Sequence, residues 1–285
     1  MATSISTSTH IPQSTANNNQ SVTKPRRKLI LKRKEKVKLI ANTSNKITIF
    51  SLTVTTIDGT NHHLWCHLYK GAYAHYKLYD KLVEETKEDL KPAELIVYGT
   101  KHTTKRYMGA YSDNDLSYRY SSVDTKGENF DSVPTINELR HDVEKVTNKE
   151  YNYVLMNHYL NGDHNLGFHA DKETDLKPDC PVSSLSFGSG RDFLIRVRQD
   201  KPSKYWIDEN TKTQIHDAFL ESPYLSNRCK IPTLSVLLED GDLLVMGDGG
   251  ETGMSMQSFL EHSVPKRKQV KDGRLNLTFR GIKKR

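Results

Sequence analysis

DFLIRVR, residues 192–198, places Phe193, Ile195 and Val197 on one face of an extended strand and its polar and charged residues mainly on the other. Similar short β-prone runs surround it. They are YNYVLMNHYL (151–160), VSSLSFG (182–188), TLSVLLE (233–239), DLLVMG (242–247) and RLNLTFRGI (274–282), separated by Gly, Asp, Pro and Asn. Many short strands so punctuated predict an antiparallel sandwich.

Upstream the texture differs. ITIFSLTVTTIDGT (47–60) alternates and ends in Asp-Gly, as a strand entering a tight turn does. Residues 73–90 set Tyr76, Tyr79, Leu82 and Val83 at helical spacing, with Pro92 as the expected stop. A second amphipathic helix is expected from Pro134, with Ile136, Leu139, Val143 and Val146 on one face. Helices followed by strands give an α+β fold whose helices pack outside the sandwich. Residues 198–230 are polar and longer than a hairpin loop needs, and read as an insertion of open role.

The chain has 285 residues and only 35% apolar side chains, which fits a packed region joined to an unpacked one. Residues 1–45 read as a disordered tail: the first 23 lack aromatic residues and have too few large apolar side chains to offset the entropy of ordering. The folded domain is expected over 46–285. Nine Lys or Arg stand against one Glu between Lys24 and Lys38, a local excess larger than the chain's net charge of +7. The basicity therefore belongs to an arm. A second basic cluster runs from Lys266 to Arg285. Such clusters attract phosphate backbones without reading sequence, and the first also fits a nuclear localisation signal or a solubilising tail. No run of apolar residues is long enough to span a membrane, and the polar N-terminus is unlike a secretory signal. Three cysteines at unrelated spacings argue against a disulfide framework and for an intracellular, reducing compartment, and the basic arm places the nucleus ahead of the cytoplasm.

The chemistry concentrates in GFHADKE (167–173). His169 and Asp171 are two apart, so on a strand both leave the same face, though H-x-D alone is a weak signal. His262, in SFLEHSVPK, is the candidate third ligand. Two histidines and one carboxylate form the facial set of non-haem iron(II) oxygenases, and zinc hydrolases use the same donors. An oxygenase with an anionic cosubstrate also needs a fixed cation. RLNLTFR supplies Arg274 and Arg280 on one face, with Asn276 between them.

Taken in order, YNYVLMNHYLNGDHNLGFHADKETDL, PVSSLSFGSGRDFLIR, GDLLVMG, EHSVPK and RLNLTFR resemble the AlkB family, closest to the animal homologues acting on DNA. The likeness extends upstream through YGTKHTTKRYMGAYSDNDLSYRYSS and so covers roughly 98–285. It implies a double-stranded β-helix (jelly-roll) core and a nucleotide-recognition segment. It implies that His169, Asp171 and His262 bind Fe(II), that Arg280 pairs with the distal carboxylate of 2-oxoglutarate, and that Arg274 lies near its metal-bound end. Asn157, Tyr159 and Asn276 would add hydrogen bonds to the cosubstrate. Tyr118, Tyr120 and Glu173 match positions around the flipped base, where an aromatic face opposite His169 would sandwich a cationic methylated base. The activity implied is oxidative demethylation of 1-methyladenine and 3-methylcytosine, consuming O2 and 2-oxoglutarate and yielding succinate, CO2 and formaldehyde. Nucleic acid is the implied partner, DNA ahead of RNA, with a monomer as the default state.

Some features stand outside this reading. GDGGETGMSMQSFLE (247–261) lacks the GK[ST] of a phosphate loop and departs from the family, with Phe259 as the aromatic before the distal histidine. In NHHLWCHLY (61–69), His62, His63, Cys66 and His67 fit no standard zinc spacing. Cys180 has no evident activating base and reads as structural. Competing functions are an RNA demethylase with the same site, a nucleic-acid binder that has lost turnover, and a protein hydroxylase, for which the basic flanks would be superfluous.

Overall fold

The expected hairpin forms from β1 (Lys46–Thr55) and β2 (Asn61–Tyr69), which turn at Gly59, whose φ of +80° lies in the left-handed region that favours glycine. A bulge between Thr48 and Phe50 sends both Ile49 and Phe50 inward. The computed structural model describes residues 38–97, 100–113, 115–120, 123–171, 175–199, 207–247 and 255–283. Residues 38–45, the end of the expected tail, are among those described. Leu39 is buried, and Ala41 N–H donates to Asp142 Oδ2 at 2.6 Å. Residues 1–37, with most of the expected tail and the basic arm, lie outside the described residues.

After β2 come α1 (Tyr79–Thr86), β3 (Lys91–Val97), β4 (Thr100–Ser112), β5 (Ser117–Tyr120), β6 (Val123–Lys126) and β7 (Glu128–Asn129). The helix expected over 73–90 is shorter than its periodicity suggests. Lys77 adopts a φ of +49°, which separates a single 3-10 turn at Ala74–Tyr76 from α1. Pro92 does not stop a helix but sits in β3, the edge strand of its sheet, where a missing N–H is tolerated. The second helix, α2 (Pro134–Thr147), forms as expected, and Asn148 closes it in the left-handed region.

The strand-rich half comprises β8 (Tyr153–Tyr159), β9 (Leu166–His169), β10 (Val182–Gly188), β11 (Arg191–Val197), α3 (Glu209–Leu220), β12 (Thr233–Leu238), β13 (Leu243–Met246), α4 (Met256–Phe259), β14 (Leu260–Val264) and β15 (Arg274–Arg280). Among the described residues, a larger sheet runs β1-β2-β13-β10-β15-β8-β4-β3, with β7 alongside β4. A smaller one runs β12-β11-β14-β9. Together they make the two-sheet jelly roll, mostly antiparallel, with helices outside.

Three layers explain why β8 and β15 are buried at every residue. Leu275, Leu277 and Phe279 face the helix layer, packing with Ile136, Leu139 and Val143 of α2. Phe193, Ile195 and Val197 fill the space between the sheets with Leu234, Val236 and Leu260. The alternate residues of β15, Arg274 to Arg280, thereby point between the sheets, where a polar side chain must find a partner or a ligand.

The insertion has a structural role. Within its described part, α3 is capped by Asp208, whose Oδ1 accepts from Thr211 N–H at 2.8 Å. Ile215 and Phe219 enter the core, the Phe219 ring 5.7 Å from that of Phe50. Gln214 accepts from Thr55 N–H and donates to Thr55 C=O, both at 3.0 Å, imitating a strand partner at the open edge of β1. Gln214→Ala should lower the unfolding free energy by about 1 kcal/mol in urea and increase self-association. Unchanged stability and a wholly monomeric variant would show that the edge needs no cap.

Candidate active site

The metal-ligand candidates come together where β9 meets β14. His169 ends β9 and lies directly opposite His262 in the pairing of the two strands, with ring centroids 4.3 Å apart. Asp171 follows just beyond β9, and its Oδ2 is 4.0 Å from His262 Nε2. His169, Asp171 and His262 are the residues that would hold a metal ion there.

The protonation chemistry suits metal binding. The His169 Nδ1–H donates to Gly167 C=O at 2.9 Å in the tautomer that leaves Nε2 as an electron-pair donor. Burial, reinforced by His169, pushes the His262 pKa down to about 3, so the imidazole is neutral. Its ring stacks on Phe193 at 5.0 Å, which fixes its plane. For Asp171, burial works upward but Arg280 and the two histidines outweigh it, bringing the pKa down to about 2. Asp171 Oδ1 accepts from Arg280 Nη2 at 2.8 Å, whereas Oδ2 is buried with no partner among the described residues. One carboxylate oxygen is thus committed and the other is left for a ligand. Two imidazole nitrogens and one orphaned carboxylate oxygen fit iron(II) well.

One cavity is lined by all three of these residues and by Asn157, Tyr159, Arg274, Asn276 and Arg280, the five expected to hold the cosubstrate. The two arginines have different neighbours. Because Arg280 bonds to a metal-ligand carboxylate, its guanidinium stands at the metal end. Arg274 lies six residues along β15, about 20 Å at a strand's rise, and cannot serve the same carboxylate through its backbone position alone. It donates to Ser186 Oγ at 2.8 Å and stands over the Tyr159 ring, while its buried Nε and Nη1 have no partner among the described residues. Burial pushes its pKa down to about 10. A buried guanidinium with spare donors is a seat for an anion.

The other expected cosubstrate contacts divide. Asn276 spends its amide on Ser184 Oγ and Leu185 C=O and accepts from Thr278, so it shapes the wall more than it offers donors. Asn157 Oδ1 accepts from Arg106 Nε at 2.9 Å. Arg106 is a buried site residue that the sequence reading missed. Its alternation with Met108 and Ala110 on β4 was the available signal.

Among the expected base contacts, Tyr118 is fully buried, its ring 4.9 Å from the Arg280 guanidinium and packed on Tyr153. Its ring lies between the Arg280 guanidinium and Tyr153. The side chain of Tyr120, and Glu173 altogether, lie outside the described residues. His216 sits on α3, away from the ligands, and the cluster on β2 divides between faces: His62 and Cys66 are buried, His63 and His67 point outward. Cys180 is partly buried, and burial pushes its thiol up to about 11, in keeping with a structural role.

A jelly roll with a His-x-Asp…His set and a buried arginine between its sheets defines a class of oxygenase, and the sequence comparisons agree. The chain belongs to the 2OG-Fe(II) oxygenase superfamily, whose profile matches residues 78–280, and within it to the AlkB family. It is therefore an iron(II)- and 2-oxoglutarate-dependent dioxygenase. It is similar to the DNA oxidative demethylase ALKBH2 of Mus musculus, 29% identical over 208 residues that cover 71% of this chain and 74% of that protein. The Homo sapiens ALKBH2 is 32% identical, covering 67% of this chain and 61% of its own length. The Homo sapiens alpha-ketoglutarate-dependent dioxygenase alkB homolog 3 is 33% identical, over 59% of this chain and 49% of its own. Against both human relatives the chain spans less than two thirds of their length.

Proposed function

We propose that this protein removes N-methyl groups from 1-methyladenine and 3-methylcytosine in DNA, releasing each as formaldehyde while 2-oxoglutarate is converted to succinate and CO2. The observation that carries this reading is a single cavity lined by His169, Asp171 and His262, with one Asp171 oxygen lacking a hydrogen bond, and by a buried arginine with spare donors, in a chain similar to proteins named DNA oxidative demethylases. When bound, iron(II) with 2-oxoglutarate and O2 supplies the oxidising chemistry at the methyl carbon. The chain's own residues bind, orient and shield. Arg274 anchors the distal carboxylate and Arg280 steadies Asp171. Leu166, Phe193 and Val264 supply apolar walls that exclude water.

A basic rim beside the cavity supports a nucleic-acid substrate. Lys266, Lys268 and Lys271 are exposed on the loop between β14 and β15. The loop is pinned to the approach to β9: Arg267 N–H donates to Gly162 C=O at 2.8 Å, and Gly162 N–H donates to Val270 C=O at 2.9 Å. The backbones approach so closely that a side chain at Gly162 would collide with Arg267 C=O. These lysines and the arm at Lys24–Lys38 offer phosphate contacts without base discrimination, and nuclear residence belongs to the same reading. A lesion on the Watson–Crick edge weakens pairing and lowers the cost of flipping the base.

The test is demethylation of an oligonucleotide carrying one 3-methylcytosine, with Fe(II), ascorbate and 2-oxoglutarate, run on DNA and RNA in parallel with His169→Ala as control. Repair of DNA that requires both 2-oxoglutarate and His169 is expected. Preferential repair of RNA would assign the site to RNA, and no product on either strand would overturn base demethylation.

A further inference from the structure

Asp171 is the one ligand candidate that does not lie in a strand, since β9 ends at His169. No ladder hydrogen bond therefore fixes its backbone, yet it is 2% exposed. Its N–H is instead accepted by Gln257 Oε1 at 3.0 Å. Gln257 belongs to α4, five residues before His262, and is 1% exposed. Its own N–H donates to Ser255 Oγ at the start of α4, and its Nε2 reaches Met246 Sδ at 3.3 Å, at the end of β13. A single buried amide therefore ties the segment leading to the distal histidine, the larger sheet and the carboxylate ligand together.

We infer that Gln257 is a positioning residue for the metal site, acting through the backbone of Asp171; this rests on the iron-site reading given above. The carboxylate ligand is then held from both ends. Gln257 fixes its N–H and Arg280 fixes Oδ1, so that Oδ2 is the oxygen turned towards His262. Without the Gln257 acceptor, the buried N–H would lose its partner, and the segment would rotate to find another. The histidines would stay in their strands while the carboxylate lost its aim. Hydrogen bonds of this supporting kind commonly tune metal affinity by about 10–100-fold.

The alternative is that Gln257 only fills the core beneath α4. Gln257→Met keeps its length and burial but removes the acceptor, whereas Gln257→Glu keeps an acceptor for the Asp171 N–H. Mn(II) titration of the metal-free, full-length protein, followed by electron paramagnetic resonance, reads the site without turnover. Gln257→Met should raise the Mn(II) Kd about tenfold, with unfolding of the metal-free protein little changed. Gln257→Glu should bind at least as tightly as wild type. With saturating Mn(II), the 2-oxoglutarate Kd of the Met variant should match wild type. The inference is overturned if the Met variant binds Mn(II) like wild type, if the Glu variant is as weak as the Met variant, or if metal-free stability falls in step with affinity. Wild-type protein that binds no Mn(II) would instead overturn the metal-site reading, and this inference with it.

Discussion

Arg274→Met is expected to leave a protein that takes up Mn(II) normally but binds 2-oxoglutarate at least about 100-fold more weakly, two lost charge-assisted hydrogen bonds at roughly 1.5–3 kcal/mol each accounting for the loss. Methionine retains an unbranched stem over the Tyr159 ring, so the packing change is small. The guanidinium touches Ser186 and Tyr159 but none of the metal-ligand candidates, which is why metal uptake should survive. Arg280→Met should behave differently. It strips Asp171 of its counter-charge, so metal and cosubstrate binding should both fall. Arg274→Lys should recover only part of the loss, because an ammonium keeps the charge but not the planar set of donors. Calorimetry with Mn(II) first and 2-oxoglutarate second separates the two steps. If Arg274→Met lost the metal and Arg280→Met lost only the cosubstrate, Arg280 and not Arg274 would hold the distal carboxylate.

The two arginines show where sequence reasoning stops. Parity along RLNLTFR puts Arg274, Asn276 and Arg280 on one face, and they are there. Parity cannot say which end of the strand meets the metal, because that depends on the pairing of β14 with β9, two strands far apart in the chain. The same limit hid Gln257, whose importance lies in an 86-residue reach to the Asp171 amide. The core strands were legible because their apolar residues alternate or run on in pieces bounded by turn residues, and α2 because Pro134 and one clear apolar face mark it. The helix at 73–90 was overextended because aromatic spacing persists across Lys77, whose left-handed backbone carries no sequence mark of its own. In the insertion the polar composition hid α3, because few of its residues are apolar ones that enter the core, Ile215 and Phe219 among them. The histidine cluster on β2 illustrates the reverse case. Neighbours in sequence point to opposite faces of a strand, so proximity in the chain is not proximity in space.

Asp171→Asn should lower turnover by on the order of 10³-fold, equivalent to about 4 kcal/mol of transition-state stabilisation, and should weaken the metal-free fold as well. The substitution is nearly isosteric and keeps an oxygen for Arg280, so what it removes is charge. Metal affinity falls because the only anionic donor in the set is gone. Stability falls because a guanidinium that is 3% exposed is left without its counter-ion. The pH dependence of that second effect identifies its origin. Asp171 has its folded pKa depressed to about 2 from 3.8, so its stabilising contribution is present above the unfolded value and lost as pH falls towards the folded one. In chelator, the difference in unfolding free energy between wild type and Asp171→Asn should be level from pH 5 to 8, at about 2 kcal/mol. It should shrink as pH drops from about 4 to about 2, while the other carboxylates titrate alike in both proteins and cancel. A deficit that stayed constant down to pH 2 would mean that the asparagine disturbs packing instead of charge, and the Arg280–Asp171 pair would then lose its place as the electrostatic support of the site.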